Sequence, residues 1–212
     1  MNREHLVQIP AGAARLEGML ALPPDPIGVV LFAHGSGSGR FSPRNNQVAA
    51  GLRGAGIATL LLDLLTPDED ALYRNRFDID VLTSRLHAAA SWLATEPLTA
   101  ALLVGLFGAS TGAAAALRVA ADAGTGIAAV VSRGGRPDLA GAALARVLAP
   151  TLLIVGGDDG PVVDLNRQAH DALTCGKSVE IVPGATHLFE EPGALEQVAA
   201  LATGWFVRHF NV

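Results

Sequence analysis

Ser110, in the stretch Gly108-Ala109-Ser110-Thr111-Gly112, is the residue best placed to act as a nucleophile. An apolar strand is predicted before it and a helix after it, the context in which G-x-S-x-G forms a sharp strand-to-helix turn. Glycines on both sides remove the Cβ atoms that would collide with strand and helix. The helix that follows points N–H groups and a partial positive charge toward the place where an oxyanion would form. The alternative interpretation is a packing turn with an N-cap serine.

A histidine must accompany this serine, because a hydroxyl is a poor nucleophile until a base removes its proton. The chain has six histidines. His34 and His187 each follow a predicted strand, whereas the other four lie in a terminal segment or in predicted helices. Those four are His5, His87, His170 and His209. Of the two that follow strands, His187 fits the base.

The base needs a carboxylate that orients it and stabilises its charge. Asp158 and Asp159 follow a predicted strand directly and compete for this role, while Asp164 falls inside a predicted helix. We favour Asp159, and the other aspartate of the pair would cap the helix that begins near Pro161. Each of the three residue types thus follows a strand, so all three are expected at the carboxyl edge of one sheet.

The elements that must position these residues alternate along the chain from about residue 27 onward, a rhythm typical of an α/β fold with a mostly parallel sheet. Two short strands before that point predict an antiparallel opening. The predicted strands cover residues 6–9, 15–22, 27–33, 57–62, 101–107, 127–131, 151–155 and 178–182, and the predicted helices cover residues 43–53, 78–95, 111–123, 161–173 and 193–209. No linker or repeat interrupts the pattern, so residues 1–212 are expected to form a single domain.

Taken together, these pieces resemble the α/β-hydrolase superfamily, and specifically its dienelactone-hydrolase-like branch. The matching stretches are His34-Gly35-Ser36-Gly37-Ser38, Gly108-Ala109-Ser110-Thr111-Gly112, Gly156-Gly157-Asp158-Asp159 and Gly184-Ala185-Thr186-His187. The resemblance covers nearly the whole chain and shares the order Ser, Asp, His. It implies an eight-stranded, mostly parallel sheet with helices on both faces.

The resemblance also assigns roles within the site. The family commonly places its acid at the fourth position of a G-G-x-D stretch, which is Asp159 here. It implies an oxyanion hole made by two backbone N–H groups, those of Thr111 and Ser36. One departure matters: dienelactone hydrolase itself uses a cysteine nucleophile, whereas this chain has a serine there and its only cysteine is the distant Cys175. The substrate in that name therefore does not transfer.

The segment after the sixth strand, residues 134–149, is long enough for one short helix, so we expect little or no lid and an open site mouth. Arg40 and Arg133 follow strands that end at the predicted site and are candidates for binding an anionic substrate, because the guanidinium fork suits carboxylate or phosphate. Ion pairs with nearby surface acids are an equally good account of these arginines.

The predicted function is a serine hydrolase that cleaves a small soluble ester through an acyl-enzyme. A thioesterase or a lactone hydrolase with the same triad is the alternative within this class. From other classes, a non-catalytic ligand-binding protein on the same fold stays open. A dinucleotide-binding oxidoreductase is disfavoured, because Arg40 stands where the fingerprint that starts at Gly35 requires a third glycine.

The amino-acid composition limits which kinds of partner are expected. With 50% hydrophobic and 17% charged residues and a net charge of -5, the chain has material for a buried core but no cationic surface for nucleic acid. Its apolar runs are much shorter than the roughly 20 residues that span a bilayer, and no signal peptide is recognisable, which predicts a cytoplasmic protein. A single cysteine and scattered histidines predict no metal, and the chemistry requires no cofactor. A homodimer is left open.

Overall fold

The computed structural model describes residues 3–211 and contains an eight-stranded sheet in the order β1-β2-β4-β3-β5-β6-β7-β8. The strands are β1 Arg3–Ala11, β2 Ala14–Leu22, β3 Val29–Ala33, β4 Ala58–Leu62, β5 Val104–Ala109, β6 Ile127–Arg133, β7 Thr151–Gly156 and β8 Lys177–Val182. β1 pairs antiparallel with β2, and β2 antiparallel with β4, while all other neighbours are parallel. The predicted antiparallel opening and mostly parallel sheet are confirmed.

Helices cover both faces of the sheet, as predicted. They are α1 Pro43–Gly54, α2 Pro67–Asp70, α3 Ile79–Leu93, α4 Thr111–Ala120, α5 Gly160–Ala172 and α6 Ala194–Phe210, with 3-10 segments at Tyr73–Phe77, Ala123–Thr125 and Pro137–Arg146. Leu52 of α1 and Phe206 of α6 belong to one apolar core layer, whereas Leu86 of α3 and Leu117 of α4 belong to the other. The sheet is therefore buried between two layers.

This double burial explains why the central strands are continuous apolar runs. Every residue of β3, β4, β5 and β7 is buried. By contrast, β1 and β8 at the two ends of the strand order are mostly exposed or half-buried. Strands buried on both faces lose the polar alternation of half-exposed strands, which is why periodicity located them well.

Two local expectations differ from the structure. The stretch 63–77, between the predicted strand 57–62 and the predicted helix 78–95, is expected to contain no regular element but contains α2, whose first turn is closed by a capping box between Thr66 and Glu69. β5 begins at Val104 rather than at residue 101, because the N–H of Leu102 bonds back to the carbonyl of Thr99 in a turn. Both differences arise from side-chain and turn hydrogen bonds that compete with strand or loop backbone.

The segment between β6 and β7 is short, as expected, and its one regular element is the 3-10 segment Pro137–Arg146. No long helical insertion roofs the carboxyl edge of the sheet in the described part of the chain. Within residues 3–211, none of the helices has both the length and the apolar composition that crossing a membrane requires.

Candidate active site

Ser110 lies at the turn between β5 and α4 with φ 50° and ψ -121°, a conformation that non-glycine residues rarely adopt. Its N–H donates to the carbonyl of Arg133 at 3.3 Å, and its own carbonyl accepts from the N–H groups of Ala113 and Arg136. These bonds hold the strained turn in place. The hydroxyl makes no N-cap bond to α4, so it is not used as the capping group that the alternative interpretation required.

The two glycines of the motif are required by close approach. A Cβ on Gly108 would lie 2.4 Å from the Cα of Ala113, and one on Gly112 would lie 2.1 Å from the carbonyl oxygen of Ala33. Both distances are far inside van der Waals contact. Strand β3, strand β5 and the first turn of α4 can therefore meet at Ser110 only if both positions lack a side chain.

The base and acid candidates meet across the loops after β7 and β8. The Nδ1–H of His187 donates to Oδ2 of Asp159 at 2.7 Å, and the side chains are 38% and 13% exposed. The N–H of Asp158 bonds to the carbonyl of Ala185, which ties the two loops together. Asp159 is also the N-cap residue of α5 but makes no capping bond, so its carboxylate serves the histidine.

The structure thus separates the two aspartates that the sequence left in competition. Asp159 contacts His187, whereas Asp158 is exposed. With the Nδ1 of His187 donating to a carboxylate, the ring is assigned as the tautomer whose Nε2 carries the lone pair. That lone pair is what a general base needs.

Ser110 and His187 both approach the end of β6, at Arg133 and Gly134. The N–H of Ser110 bonds to residue 133, and a Cβ on Gly134 would lie 3.0 Å from the carbonyl of His187 and 3.6 Å from its Nδ1. Among the hydrogen bonds within residues 3–211, none joins the hydroxyl of Ser110 to the imidazole. Catalytic contacts of this kind are often loose without substrate.

The loop after β3 approaches the serine closely, because a Cβ on Gly35 would lie 2.9 Å from the Cβ of Ser110. Ser36 follows directly, and Thr111 is the first residue of α4. No hydrogen bond within residues 3–211 uses the N–H of Ser36 or of Thr111, so both donors stay available. Ser36 and Thr111, the predicted oxyanion donors, thus lie on the two segments that adjoin the serine.

His34 is a site residue whose role the sequence did not reveal. The imidazole is buried, its Nδ1–H donates to the carbonyl of Gly35 at 2.9 Å, and its Nε2 accepts from the N–H of Leu64 at 2.9 Å. Burial lowers the pKa of His34 below its usual value, since the charged form would lose its hydration. The neutral ring thus fastens the loop after β3 to the loop after β4.

Arg40, a predicted substrate-binding residue, is engaged by two carboxylates. Its guanidinium pairs with Asp63 and Glu17, and its backbone N–H donates to Asp63 at 2.7 Å. These contacts occupy the groups that an anionic substrate would need. The structure does place Arg40 near the loop after β3, but as part of an ion-pair network.

Arg133, the other predicted substrate-binding residue, is in the opposite situation. It is 7% exposed, and no carboxylate within residues 3–211 forms a salt bridge with it. Burial, together with the nearby charge of Arg44, lowers the pKa of Arg133 to about 10. Its Nη2 lies 3.5 Å from Oδ1 of Asn45, and its guanidinium lies 5.9 Å from the ring of Phe189.

Arg76 is a further cation at the site that the sequence analysis missed. Its Nε and Nη2 donate to the backbone and carboxylate of Asp70, and its Nη1 lies 3.6 Å from where a Cβ on Gly37 would stand. The 3-10 segment that carries Arg76 thus borders the loop after β3. The only sequence signal was the length of the stretch 63–77, which joins a predicted strand to a predicted helix.

A groove of about 700 Å³ lies away from this site, between α6 and the amino ends of β7 and β8. It is lined by Pro150, Lys177, Leu201 and Trp205 among others. Because parallel strands point their carboxyl ends at Ser110, this groove opens at the opposite edge of the sheet.

No cluster of three or more His, Cys, Asp or Glu side chains suited to a metal ion occurs within residues 3–211.

The chain is similar in sequence and in fold to known proteins. The sequence model of the dienelactone hydrolase family matches residues 16–209. The crystal structure of a dienelactone hydrolase from Anabaena variabilis is 53% identical, with 98% of each chain covered and a TM-score of 0.95. Est1E from Butyrivibrio proteoclasticus superposes with a TM-score of 0.80 over 98% of this chain and 99% of its own, but at 15% identity it shows the shared fold alone.

Curated relatives occur in two strains of Mycobacterium tuberculosis and are provisionally named phosphoribosyl transferases. Each is 58% identical to this chain over 207 residues. The match covers 98% of this chain but 47% of the relative. The chain therefore spans about half the length of these curated relatives.

Proposed function

This chain belongs to the dienelactone hydrolase family, and on that premise we propose that it is a serine hydrolase that cleaves small soluble esters through an acyl-enzyme intermediate. The observation that carries the proposal is the hydrogen bond between His187 and Asp159, at 2.7 Å, close to Ser110. Ser110 has a strained backbone, and its hydroxyl is not used to cap α4. A family fold alone would not specify chemistry, since hydrolase-like folds serve many functions.

The first half of the proposed cycle forms the acyl-enzyme. Ser110 Oγ attacks the acyl carbon while Nε2 of His187 takes the hydroxyl proton, and Asp159 stabilises the resulting imidazolium. The N–H groups of Ser36 and Thr111 hold the tetrahedral oxyanion, and the loss of one such donor typically costs about 3 kcal/mol in barrier. Collapse of the intermediate expels the alcohol, which takes the proton from His187.

The second half releases the acid. A water molecule gives a proton to Nε2 of His187 and attacks the acyl carbon, and the same two N–H groups hold the second oxyanion. When this intermediate collapses, the Oγ of Ser110 leaves and recovers its proton from the imidazolium. His187 therefore accepts a proton and returns it in each half of the cycle, and all residues end in their starting protonation state.

Thioesters and lactones would react by the same steps, so they are alternative substrates rather than alternative mechanisms. A non-catalytic ligand-binding role is the alternative of another class. The buried partners of His34 and the paired carboxylate of Asp159 favour catalysis, because they fix the loops that carry the reacting groups. The transferase name of the curated relatives describes proteins about twice as long, and no part of the site described above favours transferring it to this chain.

The proposal is tested with Ser110→Ala. This variant should lose reaction with a fluorophosphonate probe and lose about a thousandfold or more in turnover of p-nitrophenyl acetate, because no other group supplies the nucleophile. Ser91→Ala, an exposed serine on α3, is the matched control and should label and turn over like the wild type. A wild-type protein that is folded but neither labelled nor active would instead support the ligand-binding alternative.

A further inference from the structure

Arg133 is the one lysine, arginine, aspartate or glutamate that is buried among residues 3–211. It ends β6, directly beside the strand that carries Ser110. Its Nε and Nη1 are buried and have no hydrogen-bond acceptor within the described residues. Within the described residues, the cation is therefore not neutralised by a carboxylate.

Packing alone does not account for such a residue. A buried charge without a partner carries a desolvation cost that a similarly sized apolar side chain avoids. The space between α1 and the loop after β8 could be filled by methionine or leucine at lower cost. The contacts that the guanidinium makes are therefore the place to look for its role.

The guanidinium contacts two segments of the proposed site: the helix after the oxyanion loop (residues 34–42) and the base loop (residues 183–193). The Nη2 of Arg133 lies 3.5 Å from Oδ1 of Asn45, in the first turn of the helix that follows the oxyanion loop. Its guanidinium lies 5.9 Å from the ring of Phe189, two residues after His187. Its carbonyl accepts the N–H of Ser110 at 3.3 Å. The side chain of Arg133 thus connects the helix after the oxyanion loop with the base loop, while the contact with Ser110 is made by the backbone alone.

The base loop needs such a support, because Phe189 is strained. It has φ 57°, which is rare for a bulky residue, and it is 1% exposed. The turn rests on Gly134, where a Cβ would lie 3.0 Å from the carbonyl of His187 and 3.3 Å from the ring of Phe189. A strained conformation persists only where its surroundings hold it, and Arg133 and Gly134 are part of those surroundings, together with the apolar core in which Phe189 is buried.

An outer contact joins the same two segments. Arg44, in the first turn of α1, pairs with Glu190 at 2.9 Å, but both side chains are partly or largely exposed. Exposed ion pairs contribute little and are screened by salt. The buried contact through Arg133 is therefore expected to hold the base loop more firmly than this exposed ion pair does.

We propose that Arg133 is a positioning residue for His187: held by Asn45 and packed on the face of Phe189, its guanidinium fixes the base loop so that Nε2 of His187 faces Ser110. This role rests on the proposed hydrolase function. In this proposal Arg133 acts through the base loop and not on the reacting atoms, so its removal should slow the chemical steps more than it weakens substrate binding.

The test compares Arg133→Met and Arg133→Gln, which remove the charge, with Arg133→Lys, which keeps a cation and a donor. Arg53→Met is the matched control, because Arg53 is a half-buried arginine at the far end of α1 that also has an unpartnered Nε. For each variant we would measure kcat and KM on matched neutral and anionic p-nitrophenyl esters, the melting temperature, and the downfield proton NMR signal of the His187 Nδ1–H.

The expected result is a loss of about tenfold in kcat for Met and Gln on both esters, with KM within about twofold, partial recovery in Lys, and no loss in the Arg53 control. The downfield signal should weaken or vanish in Met and Gln, while the melting temperature stays at or above the wild-type value. The signal needs no turnover, so it tests the positioning role even if the wild type proves inactive on esters.

Other outcomes overturn the proposal. Unchanged kcat with a retained NMR signal would leave Arg133 without a positioning role. A lower melting temperature, or failure of both uncharged variants to fold, would make it a structural residue. A rise in KM confined to the anionic ester would make it a substrate-binding residue instead.

Discussion

At the scale of single residues, neighbouring aspartates have different environments. Asp159 accepts the Nδ1–H of His187, whereas the adjacent Asp158 is exposed. The difference comes from the direction in which each side chain leaves the loop, since the N–H of Asp158 is fixed on the carbonyl of Ala185. Two residues of the same type at successive positions therefore offer a test in which charge and size are matched.

Asp159→Asn should lower kcat by about 10⁴, because an amide neither stabilises the imidazolium nor selects the tautomer with a free Nε2 lone pair. Asp158→Asn should stay within about threefold of the wild type, since an exposed carboxylate outside the site contributes little to the barrier. Steady-state kinetics on p-nitrophenyl acetate measure both. If Asp158→Asn is the impaired variant, the acid has been assigned to the wrong residue.

His34 makes stability depend on pH. Its pKa in the folded protein is lowered by burial, whereas in the unfolded chain it titrates near 6.5, so the unfolded state binds a proton that the folded state excludes. The stabilising contribution of His34 is therefore complete above about pH 6.5 and is lost as the pH falls toward the folded pKa.

Urea unfolding at about pH 7.5 and about pH 5.5 measures this loss. The wild type should be less stable at the lower pH, and His34→Gln should show a smaller difference, because glutamine cannot titrate. At the higher pH this variant should be about 1–3 kcal/mol less stable, since two buried hydrogen bonds are disturbed. An identical pH dependence in both proteins would show that other groups cause it.

At the scale of elements, the site depends on how closely β3, β5 and α4 approach one another. The carbonyl of Ala33, at the end of β3, stands where a Cβ of Gly112 would have to be. No rotation of a side chain can relieve this contact, because both partners are backbone. The same close approach brings the loop after β3 to the proposed nucleophile. The absence of a side chain at Gly112 is therefore needed both for packing and for the proposed chemistry.

Gly112→Ala should therefore destabilise the protein by about 3 kcal/mol or more and abolish activity in any protein that still folds. Gly204→Ala is the matched control: Gly204 is exposed in α6, nothing lies within 4 Å of its Cβ position, and alanine should stabilise the helix by about 0.5–1 kcal/mol. Urea unfolding compares the two variants. Equal stability of both would mean that the elements can separate at little cost.

At the scale of the whole molecule, the carboxyl edge of the sheet is open and partly apolar. The loops there carry exposed large hydrophobic side chains, namely Phe41, Leu72, Tyr73, Phe77 and Leu188. The segment between β6 and β7 adds one 3-10 stretch and no covering helix. Such a mouth offers apolar contacts without a closed channel for a long acyl chain.

We expect kcat/KM for p-nitrophenyl butyrate to exceed that for the palmitate ester by about tenfold or more, because a long chain finds no enclosing wall. The rate on a sparingly soluble ester should also rise smoothly through its solubility limit, since no lid must open at an interface. A sharp increase in rate at that limit, or a preference for palmitate, would contradict the open-mouth description.

The sequence by itself determined the order of the elements and the loops on which Ser110, Asp159 and His187 lie. Buried parallel strands are long apolar runs, and G-x-S-x-G between a strand and a helix has few structural solutions, so local patterns carried this information. The family resemblance pointed in the same direction, and the mostly parallel sheet and the family are both confirmed.

The sequence and the resemblance favoured Asp159 over Asp158, but only the tertiary structure shows that Asp159 contacts His187. The tertiary structure alone decided that Arg40 is paired while Arg133 is buried without a carboxylate partner, and that His34 and Arg76 border the site. Each of these depends on distances between segments far apart in the chain, and on the direction in which one side chain leaves its loop. Spacing along a sequence specifies neither, because packing of the two helical layers against the sheet sets both.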